Sequence, residues 1–204
     1  MSDIVIRDLG ARALPAVWTE MQRFTAERGA ATPDEIWFVE HPPVFTLGLS
    51  GNRAHLLDPG DVPVVQTDRG GQVTFHGPGQ LVCYVLIELK RVGLNVRSLV
   101  QALESAVIDT ARDHAVEAYA RRDAPGVYVA GRKLAAVGLR VRRGCSYHGI
   151  AINVRMDLEP FTRIDPCGYP GLEVTQLADH CAIDSLERCR AALTPHLLAR
   201  LRAC

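Results

Sequence analysis

The chain has 204 residues, 48% of them hydrophobic, which is enough to bury one core and is the usual size of a single domain. Lys plus Arg and Asp plus Glu number 23 each, so the formal net charge is zero. That balance argues against broad nucleic-acid binding, which draws on a basic excess, but leaves room for a local basic face. The opening MSDIVIRDLG has no basic segment followed by an apolar one, and the longest apolar run, 81–87, is far too short to span a bilayer. The reading is a soluble cytoplasmic protein whose six cysteines (Cys83, Cys145, Cys167, Cys181, Cys189 and Cys204) are reduced thiols.

Leu14, Val17, Met21 and Phe24 recur at intervals of three and four, with Pro15 near the start and Gly29 beyond the end, which predicts a first helix. Short runs rich in β-branched and aromatic residues follow at 36–40, 44–47, 62–66, 72–76 and 81–89. Pro, Gly and Asn punctuate them, so they read as strands. Val96, Leu99, Val100, Leu103, Val107 and Ala111 trace a second, longer amphipathic helix, with Asn95 or Ser98 as its cap. Residues 126–130 and 133–141 read as two strands joined by a tight turn at Ala130-Gly131, and 146–154 as another strand. Residues 161–171 hold Asp165, Pro166, Gly168 and Pro170 around one cysteine and read as a loop. Asp184 opens a last helix with Glu187 placed for a capping box, and Pro195 should kink or restart it. No Gly/Ser linker divides the chain. The expectation is one domain over 1–204 of the α+β class, with a mixed β-sheet flanked by helices.

Three segments could carry chemistry. Residues 69–80 read Arg-Gly-Gly-Gln-Val-Thr-Phe-His-Gly-Pro-Gly-Gln. Glycines let backbone come close to a ligand and expose N–H donors, and Arg69, Thr74, His76 and Gln80 add polar groups. The plain alternative is a glycine-rich hairpin with a surface histidine. The segment is neither a GxGxxG fingerprint nor a phosphate loop. In 165–170, Cys167 sits in a loop that should expose its sulfur, a requirement for a nucleophile, whereas Cys83 lies in an apolar strand as a small buried thiol would. A neutral thiol needs a nearby cation or base; otherwise Cys167 is an ordinary loop cysteine. Lys133 enters a strand of apolar residues. Pointing inward, it would be desolvated, with a lowered pKa, and usable as a base; pointing outward, it would snorkel to water. Spacing alone does not pair it with Cys167.

Two further groups weigh less. His180, Cys181, Cys189 and His196 match no zinc spacing, so no metal site is expected. Arg140, Arg142 and Arg143 read as a solvated strand end or, more sharply, as a docking patch for an acidic partner.

Taken together, residues 69–80, the Lys133-to-Gly138 strand and Cys-Ser-Tyr-His-Gly-Ile-Ala-Ile-Asn-Val at 145–154, leading into Pro166-Cys167-Gly168-Tyr169, resemble the bacterial lipoyl(octanoyl) transferase family. The likeness runs over about residues 35–175. It implies a fold shared with the biotin- and lipoate-protein ligase catalytic domains. It also implies transfer of octanoyl from octanoyl-acyl carrier protein to a specific lysine, without a cofactor, as the first step of endogenous protein lipoylation. The acceptors implied are the lipoyl domains of 2-oxoacid dehydrogenases and the glycine cleavage H protein. By this resemblance Cys167 is the acyl-thioester nucleophile and Lys133 tunes it. Arg69, Gly70, Gly71, Gln72, Val73, Thr74, Phe75 and His76, with Ala136, Val137, Gly138, Gly149, Ile150 and Ala151, would bind the acyl substrate. His76 would orient the carbonyl or hold the loop, the second being preferred. The rivals are an amidotransferase acting between lipoyl domains, an ATP-dependent lipoate or biotin ligase on the same fold, and a non-catalytic module that binds carrier or lipoyl domains and is never acylated.

Overall fold

A computed structural model describes residues 4–202; residues 1–3 and 203–204, Cys204 among them, lie outside the described residues. In chain order the elements are β1 (Val5–Ala11), α1 (Leu14–Glu27), β2 (Glu35–Glu40), β3 (Val44–Leu47), β4 (Val64–Gln66), β5 (Val73–His76), β6 (Gln80–Leu86), α2 (Val96–Asp113), β7 (Ala118–Ala120), β8 (Gly126–Val129), β9 (Arg132–Arg142), β10 (Cys145–Asn153) and α3 (Leu186–Arg202). Single 3₁₀ turns lie at Arg53–His55, Glu159–Arg163, Pro166–Gly168 and Leu177–Asp179.

Strands β6 and β10 are buried at every position, which requires cover on both faces. They pair antiparallel in the middle of a seven-stranded sheet of order β1-β2-β6-β10-β9-β8-β7. The parallel pairing of β1 with β2 makes that sheet mixed. Alternation sorts its side chains. Ile36 and Phe38, Cys83 and Val85, Ile150 and Ile152 enter one core with α2 and α3. Trp37 and Val39, Val82 and Tyr84, and Ala151 face the other way, onto Val17 and Met21 of α1. A second sheet, β4-β3-β5, closes on Phe45, Leu47, Val73 and Phe75, with Phe161 and Ile164 packed against them. The α+β class with a mixed, helix-flanked sheet is therefore the observed one. Among the described residues no helix is long and apolar enough to cross a membrane.

Local chemistry accounts for most boundaries. Asn95 and Ser98 together form a capping box: the Ser98 N–H donates to Asn95 Oδ1 at 2.9 Å and the Asn95 N–H to Ser98 Oγ at 2.8 Å. Ala130 (φ 47°) and Gly131 (φ 82°) are both left-handed, as a two-residue hairpin turn matching strand twist requires. Arg143 and Gly144 repeat the device between β9 and β10.

The last helix differs from expectation. It is capped by Ser185, whose Oγ accepts the Arg188 N–H at 3.3 Å, while Asp184 pairs with the Arg188 guanidinium at 3.0 Å. Nor does Pro195 restart it, for one helix runs from Leu186 to Arg202. Cys189, Leu193, Leu197 and Leu201 form a buried stripe along it. Burial of such side chains is worth about 1.5–3 kcal/mol each, against about 3 kcal/mol for an interior proline. Strands β1 and β7 escaped the sequence reading. The first is mostly exposed and carries Arg7 and Asp8; the second is three residues long.

One glycine on β10 is dictated by closeness. A Cβ on Gly149 would lie 1.9 Å from the carbonyl oxygen of Cys83 on β6. Gly149→Ala should therefore destabilise the protein by about 1–3 kcal/mol, read as a lowered urea midpoint at unchanged slope.

Candidate active site

Regular alternation along β9 would put Lys133 on the same face as Ala135, inside the helix-packed core. A bulge prevents this. Tyr128 pairs with Lys133 and Val127 with Ala135, so Leu134 is an extra residue. Leu134 and Ala135 both enter the core with α2 and α3, and Lys133 turns to the other face. Gly126 (φ 139°) makes room for it, because a Cβ there would lie 2.8 Å from Lys133 Cε. The Lys133 N–H donates to Glu173 O and the Thr175 N–H to Lys133 O, both at 2.9 Å. The segment following the cysteine loop is thereby strapped along the lysine.

In that loop Cys167 has φ 57° and ψ 17°, a left-handed conformation that costs a non-glycine residue about 1–2 kcal/mol. The turn holds it from within: the Gly168 N–H donates to Asp165 O at 2.9 Å and the Tyr169 N–H to Pro166 O at 3.1 Å. From outside, the Asp165 N–H donates to His55 O, the His55 ring stands 3.1 Å from the Asp165 carboxylate, and the Tyr169 hydroxyl donates to Asp123 O at 2.6 Å. The result is a Lys133 Nζ that donates to Cys167 Sγ at 2.8 Å and to Pro125 O at 3.2 Å, 5.3 Å from the centre of the Tyr128 ring.

Burial is the largest single influence and pulls the Lys133 pKa down, but the adjacent Cys167 sulfur and the Tyr128 phenol together raise it more, and the balance lies above the ordinary lysine value. Lys133 is thus an ammonium in the resting protein. The lowered pKa expected for an inward-pointing Lys133 rested on desolvation alone, and the Cys167 and Tyr128 contacts reverse it. Burial pushes the Cys83 and Cys145 thiols up, and Cys189 to about 12, which leaves them protonated and inert.

Cys167 stands at the edge of a cavity with about 560 Å³ of empty space, its open mouth included. Of the expected binding residues, Arg69, Gly71, Gln72, Val73, Thr74, His76, Ala136, Val137, Gly138, Gly149, Ile150 and Ala151 line it. Gly70 and Phe75 do not. The Gly70 N–H is tied to Leu139 O on β9, and the Phe75 ring packs 5.2 Å from Phe45 and 5.6 Å from Phe161. The sequence reading missed Leu14, Thr46, Thr67, Val82, Tyr84 and His148, which also line the cavity. Apart from Thr67, which follows the 62–66 run, their positions read as ordinary helix and strand, so the signal lay only in which face they share.

Polar groups stiffen the wall. Arg69 donates to the Thr46 carbonyl at 2.7 Å and hydroxyl at 2.8 Å, and burial draws its pKa down to about 10. His76 is buried, not a surface residue. Its Nδ1–H donates to Gln80 Oε1 at 2.7 Å, Gln80 to Asn153 Oδ1 at 2.9 Å, and Asn153 to Thr175 O at 3.0 Å. Burial, with His41 nearby, lowers its pKa to about 3, so it is neutral and holds the frame. Asp68, beside Arg69, accepts from Trp18, Gln22, Tyr147 and His148. Burial opposes its charge, yet these four donors keep its pKa well below the usual carboxylate range.

The remaining groups do not join the site. His180 bonds Thr175, His196 bonds Asp113, Cys189 is in the core and the Cys181 thiol meets Leu177 O. Arg140, Arg142 and Arg143 are exposed at the end of β9.

The family model described as the lipoyl protein ligase A/B catalytic domain matches residues 15–197. An octanoyltransferase of Alkalilimnicola ehrlichii is 60% identical over 198 residues, covering 97% of this chain and 92% of that protein. One from Pseudomonas fluorescens strain Pf0-1 is 57% identical over 195 residues, covering 94% and 91%. Among solved structures, an archaeal lipoylation system from Thermoplasma acidophilum, a bi-partite lipoate protein ligase and its E2 lipoyl domain, superposes with a TM-score of 0.81. It has 14% identity and covers 98% of this chain and 84% of that one. Lipoate-protein ligase A bound with ATP gives 0.76 at 14% identity, covering 98% and 85%. At such identity the structural likeness is one of fold.

Two outcomes follow from the geometry. In Gly126→Ala the new methyl displaces Lys133 from the sulfur, and alkylation of Cys167 by iodoacetamide at neutral pH, mapped by peptide mass, should slow severalfold. His76 has a folded pKa below its unfolded value of 6.5, so its contribution is complete above that pH and is lost as pH falls toward 3. Urea stability should drop between pH 6.5 and about 5 by up to about 1.4 kcal/mol per pH unit from this group, and His76→Gln should make the drop shallower.

Proposed function

Because the chain belongs to the lipoyl protein ligase A/B catalytic-domain family, and within it to the octanoyltransferases that transfer octanoyl in protein lipoylation, we propose that it works through an acyl-Cys167 thioester with Lys133 as the proton carrier. The observation that carries this reading is the 2.8 Å contact between Lys133 Nζ and Cys167 Sγ at the edge of a largely apolar cavity. The proposed donor is octanoyl-acyl carrier protein. The proposed acceptors are lysines on lipoyl domains of 2-oxoacid dehydrogenases and on the glycine cleavage H protein, with the chain acting in the cytoplasm as a single catalytic domain.

The Cys167 thiolate, paired with the Lys133 ammonium, attacks the donor thioester carbonyl and a new S–C bond forms. The Cys167 backbone N–H is the proposed donor to the oxyanion. The bond to the carrier sulfur then breaks, and the leaving thiolate takes a proton from Lys133. Cys167 is now an uncharged thioester. With the sulfur's charge gone, Lys133 loses its foremost support, and burial, the largest influence on it, favours the neutral amine against the remaining Tyr128 and Pro125 contacts. In the second half the acceptor lysine, arriving as the free amine, attacks the same carbonyl. Its N–C bond forms, its proton passes to Lys133, and the C–S bond breaks to return thiolate beside ammonium. One proton leaves Lys133 and one comes back in each cycle. An amide lies downhill from a thioester, so the exchange needs no ATP.

Arg69, Gly70, Gly71, Gln72, Val73, Thr74, Phe75 and His76, with 136–138 and 149–151, are proposed to hold the acyl group. Gly70 and Phe75 act by fixing the backbone of the others. Intact mass after incubation with octanoyl-acyl carrier protein tests the reading. The wild type should carry a hydroxylamine-labile octanoyl adduct on Cys167, and Cys167→Ala none. Lys133→Met should slow both half-reactions by about 10²–10⁴-fold at unchanged folding. An adduct that persists in Cys167→Ala, or wild-type acylation in Lys133→Met, refutes the assignment.

A further inference from the structure

The cavity crosses the strands of the sheet. Ala136 on β9, Ala151 on β10 and Val82 on β6 are paired partners in one row, and Gly138, Gly149 and Tyr84 form the adjacent row. Each row runs small, small, large. Neighbouring strands are about 4.8 Å apart, so the distance from β9 to β6 is about 10 Å. An extended chain advances about 1.2 Å per bond, and eight carbons therefore reach about 9 Å. An acyl group starting beside Lys133 on β9 and lying over the alanine and glycine floor ends against Val82 and Tyr84.

Leu14, the first residue of α1, lines the same cavity. It is only 4% exposed, yet it belongs to none of the three core clusters and lines the cavity. Its burial is that of a wall, not of a core residue. The wall is rigid. The Tyr84 hydroxyl donates to His41 Nε2 at 2.7 Å, and His41 Nδ1–H donates to Arg12 O at 2.6 Å, two residues before Leu14. Trp18 and Gln22 fix α1 to Asp68.

We propose that Leu14, backed by Val82 and Tyr84, is the stop that sets the acyl length at eight carbons. The proposal rests on the reading that Cys167 carries the acyl group. Its test is the single-turnover acylation of Cys167, followed by intact mass, with hexanoyl-, octanoyl-, decanoyl- and dodecanoyl-acyl carrier protein. Leu14→Ala should raise the decanoyl-to-octanoyl rate ratio about tenfold or more, the discrimination that a methylene or two supports in an apolar pocket. Leu14→Phe should shift preference toward hexanoyl by a similar factor. Val82→Ala supplies a second lengthened variant should Leu14→Ala fail to fold. Length ratios unchanged in every folded variant overturn the stop, as does an equal loss with all four donors. Absence of any adduct on Cys167 in the wild type would instead remove the reading beneath it.

Discussion

A lysine ammonium out of water is tolerated only where partners replace its hydration, and the local architecture follows from meeting that condition for Lys133. Removing such a charge from water costs several kcal/mol if nothing compensates. Compensation comes from the Cys167 sulfur, the Pro125 carbonyl and the face of Tyr128. Each arrives by a locally unfavourable device: a bulge in β8–β9, a left-handed cysteine and a glycine at φ 139°. Glu104 of α2, its own pKa raised by burial, accepts the Gly126 N–H at 2.7 Å and fixes the loop that presents Pro125. Local strain of this kind persists only where the surroundings over-determine it.

The two faces of the large sheet divide the labour. The face under α2 and α3 is filled with large apolar side chains and anchors the strands. The other face is covered by α1 over β2 and β6, while alanine and glycine on β9 and β10 leave a trough open toward Cys167. Asp68 joins these parts. It binds α1, two residues of β10 and, through the peptide bond to Arg69, the start of the glycine-rich segment. The covering helix and the polar wall are thus referenced to one carboxylate.

Elements with strong periods were legible in the sequence. The α1 and α2 stripes and the β6 and β10 runs appear where the spacing puts them, and Cys167 stood out by its Pro/Gly loop. What was not legible depends on relations across strands. Leu134-Ala135 reads as two ordinary strand residues, so nothing in the spacing announces the bulge that swings Lys133 toward the sulfur. The pairing of Lys133 with Cys167 came from family resemblance. Leu14 satisfied the helix period so well that its role as a cavity wall was hidden. His76 looked as much like a surface residue as a functional one, because its burial depends on Gln80, Asn153 and Thr175, the last of them about a hundred residues away. At Pro195 propensity was outweighed by tertiary burial.

The buried setting of the dyad also explains why one lysine can serve both halves of the proposed reaction. Two unit charges about 4 Å apart attract by about 1 kcal/mol in water and about 4 kcal/mol in protein-like surroundings. For an exposed pair, losing the sulfur's charge on acylation would hardly change the lysine. For this pair, burial acts against the ammonium at all times, and the sulfur and the Tyr128 phenol together offset it. In the proposed reaction acylation would remove the sulfur's share of that support, and Lys133 would turn from a proton donor to the leaving thiol into an acceptor for the incoming amine. The alternation needs no conformational change and no second base. It needs only that water stay away from Nζ in both states, and the Tyr128 ring, the Pro125 carbonyl and the Gly126 backbone supply that enclosure.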